Sequence, residues 1–174
     1  MAWTLVESFT FSKNNIFNKK PFYKDYAVNE ATFNWISFRL SLSRMTNLIK
    51  HSTHFRATCN DSPSSSTNYT DYFRAKTSEL NLMTMKTSQC FVAEYFSVAG
   101  ASCSNCKFTF YQNSFFSYHP HIDCFYRTIA CRAAISIPGC TLLGQDLFGF
   151  YSIYSVKHGC TASPSGSTKW WFGS

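Results

Sequence analysis

The chain has 174 residues, which is enough for one ordinary domain and too few for enzyme folds of about 250 residues or more. Hydrophobic residues make up 45% and aromatic residues 18% of the chain, so its composition excludes a disordered protein of low hydrophobicity. Charged residues make up only 14%, and the formal net charge is +7. Eight Lys or Arg against three acidic residues place most of this excess in residues 1–58, which predicts a basic N-terminal surface that attracts anions.

The start of the chain does not have the pattern of a secretory signal peptide. Residues 1–11 contain no basic cluster, and Glu7 interrupts their short apolar stretch. No run of about 18 apolar residues occurs, since Arg132 and Pro138 interrupt the most apolar region. We therefore expect an intracellular protein without a transmembrane segment. In such a reducing compartment, thiols or metal ligands are favoured over disulfides for the eight cysteines.

Changes in composition divide the chain into four segments. Residues 1–58 are basic and aromatic, and residues 59–71 are predicted to form a linker rich in Ser, Thr and Asn. Residues 72–160 are predicted to form a small cysteine-containing domain. Residues 161–174 are rich in Ser and Gly, so we expect a mobile tail unless its two adjacent tryptophans dock onto the rest of the protein.

The region between residues 30 and 50 fits two periodicities. Its apolar residues are spaced by three or four positions, which predicts one face of a helix. They are Ala31, Trp35, Phe38, Leu42, Met45 and Ile49. Residues 36–43 instead alternate apolar and polar side chains, which is the pattern of a half-buried strand. The sequence leaves helix and strand open for this region.

The second half of the chain contains both strand and helix signals. Residues 107–111 and 148–156 are aromatic and partly alternating, which predicts short strands. A helix is predicted to begin at Pro120, because apolar residues then follow helical spacing until Pro138 stops it. The expected fold is therefore a small, irregular α+β arrangement with a helix near residues 120–136, short aromatic strands and much loop.

One group of residues has the spacing of a zinc site. Cys103 and Cys106 form a C-x2-C pair, and His119, His121 and Cys124 follow. Zinc prefers four sulfur or nitrogen ligands in a tetrahedron, and a tight C-x2-C turn directs two thiolates at one ion. The series Cys103, Cys106, His119 and Cys124 resembles the zinc finger pattern in its Cys-Cys-His-Cys form, over about 22 residues.

A proline after the first histidine argues against a DNA-reading finger helix. Pro120 would interrupt such a helix directly after His119, since proline removes a backbone hydrogen bond. With His121 as the ligand, the group resembles a treble-clef arrangement, in which a helix that begins at Pro120 supplies the H-x2-C pair. The zinc hypothesis therefore takes Cys103, Cys106, His121 and Cys124 as the ligands, with His119 as an alternative ligand and zinc as the cofactor.

Two other interpretations of the cysteines remain open. Free cysteine is among the most buried residue types and packs as a small apolar group. Disulfides are the second interpretation, and their pairing does not follow from the sequence. The further cysteines available for them are Cys90, Cys131, Cys140 and Cys160.

The sequence favours a protein without enzymatic activity. It has no glycine-rich phosphate-binding motif, no H-E-x-x-H motif and no G-x-S-x-G nucleophile motif. For binding, lysines interleaved with aromatic residues in the N-terminal segment predict contacts with nucleic acid, in which rings stack on bases and ammonium groups meet phosphates. These lysines are Lys13, Lys19, Lys20 and Lys24.

Two functional hypotheses follow from these patterns. The first is a non-enzymatic polypeptide from a reading frame without an evolved function, because few charges and conflicting periodicities are typical of an unselected translation. The alternative is a small intracellular protein that a zinc ion holds together and that binds nucleic acid or a protein partner.

Overall fold

The computed structural model describes residues 2–59, 70–113, 118–122, 131, 147–149, 151 and 157–174. Within these residues, eight antiparallel strands form one sheet that curves into half a barrel. The strands are β1 (Trp3–Thr10), β2 (Ser37–Arg39), β3 (His54–Cys59), β4 (Asp71–Lys76), β5 (Ser88–Val98), β6 (Ala101–Asn113), β7 (Tyr118–Ile122) and β8 (Ser167–Gly173). Their order across the sheet is β2-β1-β8-β3-β4-β5-β6-β7. A 3₁₀ helix, Phe11–Phe17, follows β1, and the helix α1 (Leu42–Lys50) precedes β3.

The α+β prediction is wrong, because the described part of the chain is mostly β, with 47% of its residues in strands and 13% in helices. The helix predicted near residues 120–136 is wrong at its start, since Tyr118–Ile122 form β7 and pair with β6. Pro120 is tolerated there because β7 lies at the edge of the sheet, where a strand can lack one N–H donor. Apart from Cys131, the rest of the predicted helix lies outside the described residues.

The region that fits two periodicities contains both elements. β2 takes Ser37–Arg39, and α1 takes Leu42–Lys50. The helix starts where it does because the backbone N–H of Leu42 donates to Asp25 Oδ1 at 2.8 Å, and a carboxylate at a helix N-terminus stabilises its free N–H groups. No helix in the described part of the chain has the length and apolar character needed to cross a membrane.

The strand predicted at residues 107–111 lies inside a longer element. β6 extends over 13 residues and pairs with β5 along most of its length. The other predicted strand, residues 148–156, lies mostly outside the described residues. The sequence predicted short strands, whereas β5 has 11 residues and β6 has 13.

The C-terminal residues form an interior strand of the sheet. The sequence predicts a mobile tail for residues 161–174, whereas the structure places β8 between β1 and β3. Trp170 is fully buried and donates its indole N–H to the carbonyl oxygen of Phe148 at 3.1 Å. β3 and β4, which lie on either side of the predicted linker, pair with each other. The segments that composition separates thus contribute strands to one sheet.

Aromatic rings fill the space that the sheet encloses. The Trp170 ring lies 5.4 Å from Phe22, 5.5 Å from Phe73 and 5.8 Å from Phe110, measured between ring centroids, and each pair is nearly perpendicular. Edge-to-face contacts at such distances contribute about 0.5–1.5 kcal/mol each beyond the burial of area. Trp170 is therefore a packing centre for strands that are far apart in sequence.

A buried ion pair joins β1 to β2. Arg39 Nη1 lies 3.2 Å from Glu7 Oε2, and both side chains are 0% exposed. Arg39 Nη2 donates to the carbonyl oxygens of Pro21 at 2.7 Å and Lys24 at 3.3 Å. Burial lowers the pKa of Arg39, and the Glu7 carboxylate counteracts this effect. Arg39 thus ties the segment between the 3₁₀ helix and β2 to the sheet.

Replacing Arg39 should destabilise the protein strongly. In Arg39→Met we expect the free energy of unfolding to fall by about 3–5 kcal/mol, because Glu7 is left buried without its cation. Urea denaturation followed by tryptophan fluorescence measures this loss. Arg44→Met is the matched control, since Arg44 pairs with Glu30 at 3.5 Å but is 64% exposed, and it should leave the midpoint nearly unchanged. Equal losses in the two variants would contradict the role of the buried pair.

Candidate functional site

The described cysteines form three disulfides. They join Cys59 to Cys160, Cys90 to Cys131 and Cys103 to Cys106. Two of the predicted zinc ligands, Cys103 and Cys106, are therefore bonded to each other and have no thiolate for a metal. Cys124 and Cys140 lie outside the described residues. Several disulfides in one small protein are typical of oxidising compartments, in contrast to the reducing, intracellular setting expected from the sequence.

The structure does not bring the predicted histidine ligands to the Cys103–Cys106 pair. His121 is buried in β7 and lies opposite Tyr111 of β6. Tyr111 follows Cys106 by five residues, and at about 3.3 Å per residue about 16 Å separates them, whereas zinc ligands lie about 2.0–2.3 Å from the ion. His119 lies farther along β7 in the same direction. Within the described ranges, no group of three His, Cys, Asp or Glu residues could hold a metal.

The four predicted nucleic-acid-binding lysines lie on the 3₁₀ helix and in the segment after it. Lys13, Lys19 and Lys24 are exposed. Lys20 is half-buried, and its Nζ atom lies 4.2 Å from the centre of the Tyr26 ring. Three aromatic side chains near these lysines are buried in the core, namely Phe9, Phe17 and Phe22. These rings are used in packing, so the segment offers mainly its cations to a ligand.

Aromatic and cationic side chains lie together elsewhere, on the face of the sheet opposite the core. We call this surface the outer platform. Most of its members alternate along their strands with buried residues, and Trp35 packs onto the surface from the loop before β2. They are Trp3, Trp35, His54, Arg56, Tyr72, Arg74, Lys76, Glu94, Tyr95, Lys169 and Trp171. Four Lys or Arg stand against one carboxylate, so the outer platform is cationic.

One row of side chains crosses four strands of the outer platform. Trp171 of β8 lies opposite Arg56 of β3. Arg56 lies opposite Arg74 of β4, which in turn lies opposite Tyr95 of β5. Neighbouring strands are about 4.8 Å apart, so the row spans about 14 Å, with an aromatic ring at each end and two guanidinium groups between them. Tyr72 adds a further ring, 6.0 Å from that of Tyr95.

Aromatic rings hold the Arg56 guanidinium in place. Its central carbon lies 4.4 Å from the ring centre of Trp3 and 5.0 Å from that of Trp171. The Trp171 indole N–H donates to Thr58 Oγ1 at 3.4 Å, which orients the ring. A ring face attracts a cation without neutralising it, at about 0.5–1 kcal/mol for an exposed pair. Arg56 therefore keeps its charge while its position is fixed.

The carboxylate of Glu94 contacts three side chains of the outer platform near Arg74. Its oxygens lie 2.9 Å from Arg74 Nε, 3.1 Å from His54 Nε2 and 3.6 Å from Lys76 Nζ. Partial burial raises the pKa of Glu94, but hydrogen bonds and charges from His54 and Arg74 outweigh this effect, so the pKa is lowered overall. Glu94 therefore stays ionised and bridges β3, β4 and β5, although one negative charge leaves the group with a positive excess.

The Arg56–Arg74 pair has a consequence for binding. Like charges that lie directly opposite on neighbouring strands destabilise a sheet, by an amount in the range of about 0.2–1 kcal/mol. An anion above the two guanidinium groups would remove this repulsion and accept hydrogen bonds from both. The row is therefore suited to a ligand that carries phosphate or another oxyanion together with flat rings.

Sequence reasoning missed the outer platform because its members come from distant parts of the chain. Strand pairing brings them together across up to about 170 residues, and local spacing carries no information about such pairs. A usable signal lay in residues 54–59 and 71–76, HFRATC and DYFRAK, where arginine alternates with apolar residues. This alternation is typical of strands with one cationic face.

A second polar group lies inside the protein, next to the Cys59–Cys160 disulfide. Asp71 is 1% exposed and accepts hydrogen bonds from the backbone N–H of Ala99 at 2.9 Å and of Gly159 at 2.6 Å. His158 lines the same small cavity. Burial raises the pKa of Asp71, and the two backbone hydrogen bonds and His158 only partly oppose this effect. Asp71 thus fastens the β5–β6 turn and the turn before β8, a structural role beneath the surface.

Comparison of the chain with protein-family models, with curated proteins and with solved structures gives no match. Function therefore has to be inferred from the described side chains and their geometry. Of the two polar groups, only the outer platform is open to a large ligand, because Asp71 and His158 are almost fully buried.

The raised pKa of Asp71 predicts how stability depends on pH. Since its pKa in the folded protein exceeds the ordinary 3.8, the folded state holds this proton more tightly than the unfolded state does. The contribution of Asp71 is fully present below about pH 3.8 and is lost as pH rises through the raised pKa, with a slope of at most about 1.4 kcal/mol per pH unit. Urea denaturation of the natural protein and of Asp71→Asn between about pH 4 and 8 tests this. The natural protein should lose stability relative to the variant as pH rises, and a constant or growing advantage would contradict the assignment.

Proposed function

We propose that this is a binding protein whose outer platform binds single-stranded nucleic acid. The observation that supports this most directly is the row in which Arg56 and Arg74 lie opposite each other between Trp171 and Tyr95. Guanidinium groups make paired hydrogen bonds to phosphate, and aromatic side chains stack on exposed bases. A sheet surface that combines the two is a recurring way to bind a single strand.

A single strand fits these side chains better than a duplex or an acidic protein does. In a duplex the faces of the bases are stacked on one another, so the rings of Tyr72 and Tyr95 would have no partner. Tyr95 is 41% exposed, which leaves it open to a base. An acidic protein would pair with the arginines and lysines but would offer few rings to the tyrosines.

We infer that the protein works in an oxidising compartment. Three disulfides support this, since thiols in the cytosol are kept reduced. The nucleic acid that it meets would then lie outside the cytosol. Disulfides and the packing of Trp170 hold the sheet together. The proposal therefore assigns no metal to the fold or to binding.

The arginines and the tyrosine of the row should contribute differently to the affinity for a single strand and to its salt dependence. With four phosphate contacts, the affinity for a fluorescent oligothymidylate of about 12 nucleotides should fall about fifty-fold between about 50 and 200 mM salt. Arg74→Gln should reduce the slope of log affinity against log salt by about 0.7, because one phosphate contact is lost. Tyr95→Ala should weaken binding by about 1–3 kcal/mol without changing this slope, because stacking is uncharged. Fluorescence anisotropy measures both quantities.

Lys24→Gln is the matched control, because it removes an exposed cation that lies outside the outer platform. It should change neither the affinity nor the slope. If Lys13→Gln and Lys24→Gln lower the slope while Arg74→Gln does not, the N-terminal lysines are the site and the platform proposal is wrong. If inorganic polyphosphate competes as well as the oligonucleotide and Tyr95→Ala has no effect, bases are not recognised. Binding that no variant alters is the outcome expected of a chain without an evolved function.

A further inference from the structure

A disulfide joins Cys103 to Cys106 within β6, and neither residue belongs to the outer platform. We propose that the Cys103–Cys106 disulfide is a thiol–disulfide exchange site whose substrate is a dithiol. Its two cysteines are three positions apart and both belong to one strand. The features that support the proposal are the backbone pairing around the cysteines, the small contribution of this bond to the fold, and the unequal exposure of the two sulfurs.

Backbone pairing holds both cysteines in place whether or not the disulfide exists. Cys103 lies opposite Phe96, and Cys106 lies opposite Ala93, in the ladder between β5 and β6. Their Cα atoms are 6.2 Å apart, which is within the distance that a disulfide spans. Reduction would therefore leave two thiols side by side on an intact strand. Such a pair can be oxidised again without refolding of the protein.

The fold depends less on this bond than on the other two. The stabilisation from a cross-link increases with the length of chain that it closes. The sequence separation is 3 for Cys103–Cys106, 41 for Cys90–Cys131 and 101 for Cys59–Cys160. The last of these also lies in the core, with both cysteines at 2% exposure or less. Cys103–Cys106 is thus the disulfide that can open at the smallest cost to the fold.

The two sulfurs differ in access. Cys103 is half-buried and lies between the exposed residues Ser102 and Ser104, whereas Cys106 is 8% exposed. Asn105, between the two cysteines, has a positive φ of 54°, a conformation that asparagine tolerates. The pairing between β5 and β6 is interrupted at this residue. Because of this irregularity, Cys103 and Cys106 can reach each other although both belong to an extended strand. An incoming thiolate therefore reaches Cys103 first. Cys106 is the leaving group, and once protonated its thiol can donate to the Ser104 carbonyl oxygen, 3.5 Å away.

The exchange proceeds in two steps that conserve electrons. The substrate thiolate attacks Cys103 Sγ and forms a mixed disulfide, while the Cys103–Cys106 bond breaks and Cys106 leaves as a thiolate. The second thiolate of the substrate then attacks the first substrate sulfur, which is bonded to Cys103 in the mixed disulfide. This forms the substrate disulfide and releases Cys103 as a thiolate. The substrate is oxidised by two electrons to a disulfide, the protein pair is reduced by two electrons, and the two substrate protons pass to Cys103 and Cys106.

Controlled reduction of the folded chain tests the proposal. The experiment uses the full chain with Cys90→Ser and Cys131→Ser, because Cys90 is exposed and its disulfide would otherwise react as well. This chain is treated with one equivalent of dithiothreitol and quenched with iodoacetamide. Mass spectrometry then identifies the alkylated cysteines. We expect Cys103 and Cys106 to be alkylated about tenfold or more faster than Cys59 and Cys160, with an unchanged circular dichroism spectrum. Equal rates, or loss of the β spectrum when this bond opens, would overturn the proposal.

A pair of single variants tests the assigned order of attack. Cys106→Ser leaves the accessible Cys103 as a thiol, and Cys103→Ser leaves the buried Cys106. With Ellman's reagent, Cys106→Ser should react about tenfold or more faster, after subtraction of the rate of the Cys103→Ser/Cys106→Ser double variant, which retains the other cysteines. A faster reaction of Cys103→Ser would reverse the roles of the two sulfurs, and no reaction of either variant would exclude exchange at this site. Oligonucleotide binding by the outer platform does not enter either measurement.

Discussion

The position of β8 between β1 and β3 determines the rest of this structure. It joins the two ends of the chain, since the backbone N–H of Ala2 donates to the carbonyl oxygen of Ser174 at 2.8 Å. A Cβ atom on Gly173 would collide with the Ala2 carbonyl oxygen, so glycine is needed for this close approach. The alternation of β8 sends Trp170 into the core and Trp171 to the outer platform. One strand therefore supplies both the packing centre of the protein and one end of its candidate binding row.

Local patterns in the sequence mark some of the elements without always deciding their type. Residues 30–50 fit both a helix and a strand, and the structure places β2 and α1 there. The strand predicted at residues 107–111 lies in β6. The helix expected from Pro120 is wrong at its start, because pairing with β6 makes Tyr118–Ile122 a strand, and local helical spacing does not register such pairing. Pairing between β1 and β8 connects residues at opposite ends of the chain, and no local period contains that information.

For the candidate sites too, local spacing could be read from the sequence, whereas contacts between distant strands could not. The C-x2-C spacing predicts that Cys103 and Cys106 act together, but the chemistry of the pair depends on the backbone between them. A tight turn would have directed two thiolates at a metal, whereas an extended strand interrupted at Asn105 brings them together as a disulfide. The alternation in β3 and β4 indicates strands with a cationic face, but the row of the outer platform could not be predicted, because it requires the register of four strands.

The net charge of a sequence segment also does not show where the cationic surface of the folded protein lies. Residues 1–58 hold most of the formal excess, yet three of the four Lys or Arg of the outer platform come from later in the chain, and Glu7 is buried in a pair with Arg39. The fold also buries Asp71, so a second carboxylate is removed from the surface of a chain that has only nine acidic residues. Few anions then remain to balance the exposed cations. Ring faces hold Arg56 without neutralising it, and the single carboxylate of Glu94 is shared by Arg74, Lys76 and His54. The positive potential of the outer platform therefore arises from how the sheet distributes its few carboxylates and not from an abundance of basic residues.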